Sequence, residues 1–321
     1  MKIDITDNEN AKVIPFDKKK TTEKKRKKKK KKGAGFFPTL LLIIFIGSLA
    51  ACGYLIYKEI NKEIGIKDME TDIQTFVRPQ TQKTHADDNT PDDISTETDK
   101  QQDSMDEPDF VFDWEGIEAE SPYVIGWLQI PGIERINYPI VQHADDNQYF
   151  LTHDWKGNAQ SAGSIFMNVH NTSDFTDMNS ILYGHHMKSG SMFGLLKTYA
   201  DQKFMDENPY FYIYTPDGAK LTYEIICFSG VKDGSDAYLM YFQSPKERMA
   251  YYDMMRKAYD KETKTGALAK RDVELDRFDT TIMLSTCGNT REDYYARQVL
   301  LAKLIYVDLK GQTEDWTGTI E

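Results

Sequence analysis

From Gly33 to Tyr57 the chain carries no charged side chain, and Phe36 to Tyr57 is a nearly unbroken apolar run of about 22 residues. At about 1.5 Å per residue, a helix of that length spans roughly 33 Å, enough for the hydrocarbon core of a bilayer. Residues 58–75 extend it as a short helix. Residues 76–108 are rich in Asp, Thr, Gln, Pro and Ser with few large apolar groups, a pattern that cannot bury enough surface to fold. From Phe110 to about Leu309 the pattern changes to short apolar and alternating runs that read as strands. These are Val124–Leu128, Ile136–Ile140, Ser164–Met167, Ser180–Tyr183, Phe211–Tyr214, Leu221–Cys227, Thr281–Cys287 and Arg297–Val307, punctuated by Pro131-Gly132, Pro216-Asp217-Gly218 and Asp233-Gly234. So many short strands in about 200 residues predict a closed or nearly closed barrel, mainly β.

Helices are few. Asp113–Ser121 and Met192–Tyr199 are candidates. Pro245–Lys261 is the clearest, with Ser244 as N-cap, Pro245 at the first position and Glu247 completing a capping box. Met249, Tyr252, Met255 and Tyr259 give it a stripe expected to pack on the barrel.

Charge divides the chain into two bodies. The first 35 residues hold 14 Lys+Arg against 5 Asp+Glu, net +9, which leaves −20 on the rest of a chain whose total is −11. A basic block directly before an apolar span sets its orientation, with the N-terminus cytoplasmic, the rest outside and the block against anionic lipids. Leu49-Ala50-Ala51-Cys52 is shaped like a lipoprotein cleavage site, but the apolar run continues past it, so an uncleaved anchor is expected. The acidic body disfavours nucleic acid. The expected organisation is a cytoplasmic head (1–35), a transmembrane helix (36–57), an extracellular and largely disordered stalk (58–109), a catalytic domain (110–309) and a tail (310–321).

Three cysteines, Cys52, Cys227 and Cys287, make no disulfide framework. Metal-binding, phosphate-cradling and Ca-loop motifs are missing from the sequence, so neither a metal nor a cofactor is expected. Cys227 and Cys52 read as apolar positions, in a strand and in the span. Cys287 differs, because it ends a strand. A loop of about nine residues then leads to Arg297 on the next strand, and an antiparallel pairing sets the two side by side. The guanidinium there can hold a substrate carbonyl and its tetrahedral oxyanion. His185 follows a strand end and a glycine, a setting for a residue displayed on a rim, where it can protonate a leaving amine and later deprotonate an attacking one. Thiol, imidazole and guanidinium together point to covalent acyl transfer. His186 reads as support for the loop. His85, His143, His153 and His170 read as surface or locally satisfied, and Arg291 as a weaker rival to Arg297.

The segment Asn179-Ser180-Ile181-Leu182-Tyr183-Gly184-His185-His186-Met187 resembles the histidine motif of class B sortases, and Leu284-Ser285-Thr286-Cys287 resembles their cysteine motif. Arg297, ten residues on, matches the spacing of their arginine. Asn137–Val141, Gly163–Met167 and the helix between about Tyr241 and Asp279 also fit. The resemblance covers about residues 110–309. It implies an eight-stranded sortase-like β-barrel with peripheral helices, and a membrane-anchored cysteine transpeptidase of Gram-positive bacteria. In that role Cys287, His185 and Arg297 are catalytic. Cys287 attacks a sorting-signal peptide of a secreted protein between Thr and Gly or Asn, and an amine of a peptidoglycan precursor resolves the thioester. Asn147, Tyr183 and Ser285 are implied to line the substrate groove. Gly288 stands where some relatives carry an acidic residue. An extracellular cysteine peptidase that hydrolyses the thioester shares these motifs, and a non-catalytic surface binding module is a third reading.

Overall fold

The computed structural model describes residues 36–79, 110–287 and 296–309. The expected basic head, most of the expected stalk, His85, Arg291 and the tail lie outside them. The chain divides into two units, Met1–Leu55 and Ile56–Glu321. Helix α1 (Phe36–Ile73) begins in the first. There its large apolar side chains, from Leu40 to Leu55, are all exposed. Among the described residues it is the one helix long and apolar enough to cross a membrane, and so a candidate membrane anchor.

In the second unit the remainder of α1 is a different object. Ile66, Met69 and Ile73, spaced as one helical face, are buried in the main core with Val77. The Tyr138 hydroxyl donates to Glu70 at 2.6 Å, and Arg135 reaches the same carboxylate at 3.4 Å. Lys156 bridges Asp72 (2.9 Å) and Glu120 (3.0 Å) and lies 4.9 Å from the ring of Trp155. Strand β1 (Val77–Pro79) pairs antiparallel with β2 (Phe110–Phe112). The compact unit therefore starts upstream of Phe110. The expected stalk from residue 58 is helix as far as Ile73, docked from Ile66 onward, and then strand, because three well-spaced apolar residues find a core. Helix α2 (Trp114–Glu120) follows, capped by Asp113.

The barrel strands are β3 (Val124–Gln129), β4 (Asn137–Val141), β5 (Ile165–Met167), β6 (Asn179–Tyr183), β7 (Tyr210–Tyr214), β8 (Lys220–Lys232), β10 (Thr281–Cys287) and β11 (Ala296–Asp308). They run in the order β11-β10-β6-β5-β4-β3-β7-β8, and β8 pairing with β11 closes eight strands. The β4–β5 and β6–β10 pairs are parallel and the rest antiparallel. Strand β8 is long enough to pair with β7 over Lys220–Glu224 and then with an added strand, β9 (Gly266–Lys270), over Cys227–Gly230.

Strand alternation builds two cores. Leu182, Ile282, Leu284 and Leu300 point into the barrel. Ile181, Met283, Val299 and Leu301 point out, into a second cluster closed by helix α4 (Pro245–Met255) through Tyr251, Tyr252 and Met255. Half of the expected capping box is present: Glu247 N donates to Ser244 Oγ at 3.2 Å, while Glu247 Oε2 accepts from the amide of Gln243, one residue before the cap, and not from that of Ser244. The helix stops at Met255, short of Lys261, and its buried face is Arg248, Tyr251, Tyr252 and Met255. Met249 is on the exposed side. In place of the Met192–Tyr199 helix there is a 3-10 segment, Leu196–Ala200, followed by helix α3 (Gln202–Glu207).

Candidate active site

Strand β6 brings Tyr183 and Gly184 to the end of the barrel, and parallel pairing sets it against β10 with Tyr183 opposite Ser285. The Gly184 amide extends that ladder to the Ser285 carbonyl at 3.1 Å. A side chain at Gly184 would put its Cβ 2.6 Å from Ile165 Cδ1 and 2.7 Å from the ring of Phe193, so any other residue would force those side chains to shift. His185 follows, half-buried, with its carbonyl accepting from Phe193 N at 3.0 Å. Its Nε2 lies 2.8 Å from the Leu151 carbonyl. A carbonyl only accepts, so Nε2 carries the hydrogen, and Nδ1 is the nitrogen available for proton transfer.

On the other side of β10 the register sets Cys287 directly opposite Arg297 of β11, as the loop length predicts. Arg297 Nη2 donates to Asp233 Oδ2 at 2.7 Å. Asp233 follows the end of β8 in a turn whose Ser235 amide bonds the Lys232 carbonyl at 3.2 Å and whose Gly234 has φ +65°. The next 3-10 turn, Asp236–Tyr238, ends with the Tyr238 hydroxyl 2.8 Å from Ser285 Oγ and its ring 6.3 Å from that of Tyr183.

A cavity of about 340 Å³ joins these pieces. Its walls hold five of the six residues singled out from the sequence: Asn147, Tyr183, His185, Ser285 and Arg297. Asn147 Oδ1 accepts from Val169 N at 3.1 Å, which fixes the loop above the cavity. Asn168 Nδ2 donates to the Tyr183 hydroxyl at 3.0 Å. Burial raises the pKa of the Tyr183 phenol, and hydrogen bonds from Asn168 and Asn147 oppose the shift. Burial raises that of Tyr238 too. Both are neutral hydroxyls at physiological pH, fit to donate or accept but not to act as bases. Thr286 also lines the cavity.

Asp233 and Tyr238 escaped the sequence reading, and Thr286 entered it only as part of the cysteine motif. Asp233-Gly234 is visible there only as a turn, and nothing local announces which cation its carboxylate meets. The other residues set aside stay aside. Cys227 is buried against the second core, and burial pushes its thiol up to about 11. His143 Nδ1 accepts from the Asp146 amide at 3.1 Å, and His153 stacks on Tyr149 with ring centroids 4.0 Å apart. Among the described residues, no group of three His, Cys, Asp or Glu is placed to hold a metal.

Comparison with known proteins shows the family and the fold. The sortase domain family matches residues 128–305. A sortase B of Listeria monocytogenes is 35% identical over 182 residues, covering 57% of this chain and 70% of that protein. A sortase B of Staphylococcus aureus is 29% identical over 196 residues, 60% of this chain and 75% of that one. The solved structure of a Staphylococcus aureus sortase B–substrate complex superimposes with a TM-score of 0.52 at 26% identity, covering 60% of this chain and 84% of that one.

Proposed function

Because the chain belongs to the sortase family, in its class B branch, and so to the cysteine transpeptidases that anchor proteins to the cell wall, we propose that it cleaves a C-terminal sorting signal between Thr and Gly or Asn and passes the acyl group to an amine of a peptidoglycan precursor. The observation that carries this reading is the register of three strands. Cys287 stands opposite Arg297 across β10–β11, and the parallel β6 delivers His185 to the cavity that Arg297 lines.

The Cys287 thiolate attacks the threonyl carbonyl carbon, and the carbonyl electrons move to oxygen. Arg297 N–H groups hold that oxyanion. The C–N bond then breaks, and the departing amine takes a proton from the His185 imidazolium at Nδ1, since Nε2–H is committed to Leu151. A thioester on Cys287 remains. In the second half His185 Nδ1 removes a proton from the incoming amine as it attacks the thioester, and Cys287 leaves as thiolate. Asn147, Tyr183 and Ser285 line the groove that receives the peptide. The apolar half of α1 is the anchor, with residues 1–35 cytoplasmic and the catalytic unit outside, an orientation supported by the basic block before the span.

The test is mass spectrometry on the purified full chain in detergent, with a library of Pro-x-Thr-Gly and Pro-x-Thr-Asn peptides and a wall-type amine. A thioester on Cys287 and an amine-ligated product are expected. Hydrolysed peptide alone, across several amines, points instead to a peptidase. No adduct on a reduced Cys287 removes the sorting-signal reading.

A further inference from the structure

We propose that Asp233 is a positioning residue for Arg297, fixing the guanidinium that receives the oxyanion; this rests on the role given to Arg297 above.

A free arginine side chain has four rotatable bonds and a large rotamer entropy, so a catalytic arginine needs an anchor. The β10–β11 register fixes the Arg297 backbone opposite Cys287 but not the far end of its side chain. Asp233 reaches that end. It lies in the turn that ends β8, the strand on the other side of β11, where Arg297 pairs with Val231 and Ala296 with Lys232. The carboxylate is thus set one position past the last paired residue. Gly234, at φ +65° and with open space around it, lets the chain reverse there. The contact is a charge-assisted hydrogen bond of 2.7 Å to Nη2, and both residues line the same cavity. Arginine carries five N–H donors, so a bond from Nη2 to Asp233 is compatible with others directed at substrate.

A second effect opposes this one. A carboxylate beside the guanidinium reduces its field at the oxyanion, so removing the charge could also speed the reaction. The Asp233 side chain is 49% exposed, against 22% for Arg297, and solvent screens a charge in that setting. Loss of alignment is the larger effect, since displacing a catalytic group by about 1 Å can cost about 100-fold.

The experiment is single-turnover thioester formation with a peptide substrate, using full-chain Asp233→Ala, Asp233→Asn, Asp233→Glu and Arg297→Ala together with the double variant Asp233→Ala/Arg297→Ala. Asp233→Ala is expected to lower the acylation rate constant about 10- to 100-fold, with the substrate concentration for half-saturation changed by less than about twofold. Asp233→Asn, which keeps an acceptor but loses the charge, should fall between. Asp233→Glu should restore part of the rate. The double variant should be no slower than Arg297→Ala, because the two groups act as a unit. Unchanged or faster acylation in Asp233→Ala overturns the proposal, as does a double variant slower than Arg297→Ala by the full Asp233→Ala factor. If Arg297→Ala itself acylates at the native rate, the role of Arg297 is what fails. A melting temperature within about 2 °C of the native chain separates positioning from general damage to the fold.

Discussion

The docked half of α1 makes a prediction that a flexible stalk would not. Ile66, Met69 and Ile73 are 1%, 7% and 2% exposed, and burying side chains of this size contributes about 1.5–3 kcal/mol each. Their sum, about 5–9 kcal/mol before the cost of ordering the helix, is comparable with the whole stability of a typical domain. The ion pairs that accompany them are partly exposed and contribute at most about 1 kcal/mol each, so apolar packing decides the outcome. Ile73→Ala removes three methyl(ene) groups from a nearly sealed site and should cost about 2–5 kcal/mol. For a domain of this size each kcal/mol moves Tm by about 2–4 °C, so Tm should fall about 4–20 °C. Ile60→Ala is the control. Ile60 is 53% exposed on the same helix, and its replacement should change stability by no more than about 0.5 kcal/mol. The assay is far-UV circular dichroism melting of the purified chain in detergent, followed above 215 nm, where strand and helix losses are both visible. Equal melting curves for Ile73→Ala and the native chain would refute the reasoning. They would mean that this part of α1 rests against the barrel without contributing to its stability.

Three further outcomes follow from the site and its surroundings. Arg297→Ala should slow thioester formation about 100- to 1000-fold, the usual loss for an oxyanion donor, read by intact mass against time. Gly184→Ala drives a methyl to 2.6 Å from Ile165 and 2.7 Å from Phe193; overpacking of about 1–3 kcal/mol should lower Tm and displace His185, so acylation falls while Cys287 still reacts with a small alkylating agent. Cys227, with its thiol at about 11, should resist iodoacetamide at pH 8 in the folded chain and react fully in urea, whereas equal labelling rates in the two states would contradict its burial. The same shift has a sign for stability. Its folded pKa is raised, so its contribution is complete below the unfolded value near 9 and is lost as pH rises towards about 11.

The strands flanking the site were legible because their signals are local. Thr281–Cys287 and Ala296–Asp308 are β-branched and apolar runs close together in the sequence, and their antiparallel pairing makes the Cys287–Arg297 opposition nearly a matter of counting. His185 was legible as a rim residue, but its β6 strand lies about a hundred residues away and pairs in parallel, a choice no local pattern fixes. Strand β9 escaped because Gly266-Ala267-Leu268-Ala269-Lys270 has little intrinsic strand preference; the free edge of β8 recruits it. The stripe of α4 shifted because Arg248 is buried, its guanidinium donating to the Met178 carbonyl at 3.1 Å, and a long charged residue does not count as apolar in a periodicity. The docking of residues 66–77 was hidden for a related reason. Their apolar positions alternate with Lys67, Asp68, Glu70 and Asp72, and a dense charge pattern reads as solvated until its partners Arg135, Tyr138 and Lys156 appear.

Strand β11 is the seam of the barrel, hydrogen-bonded to β10 on one edge and to β8 on the other, and it carries Arg297. Among the described strands it is also the last to emerge during synthesis. Until residue 297 is in place the cylinder is open, β8 and β10 have unpaired edges, and Cys287 has no guanidinium across from it. Closing the cylinder and setting Arg297 opposite Cys287 are therefore one event in time. In a nascent or half-folded chain the two residues to which acyl transfer is assigned above are not yet paired, so under that proposal competence arrives only with the closed barrel.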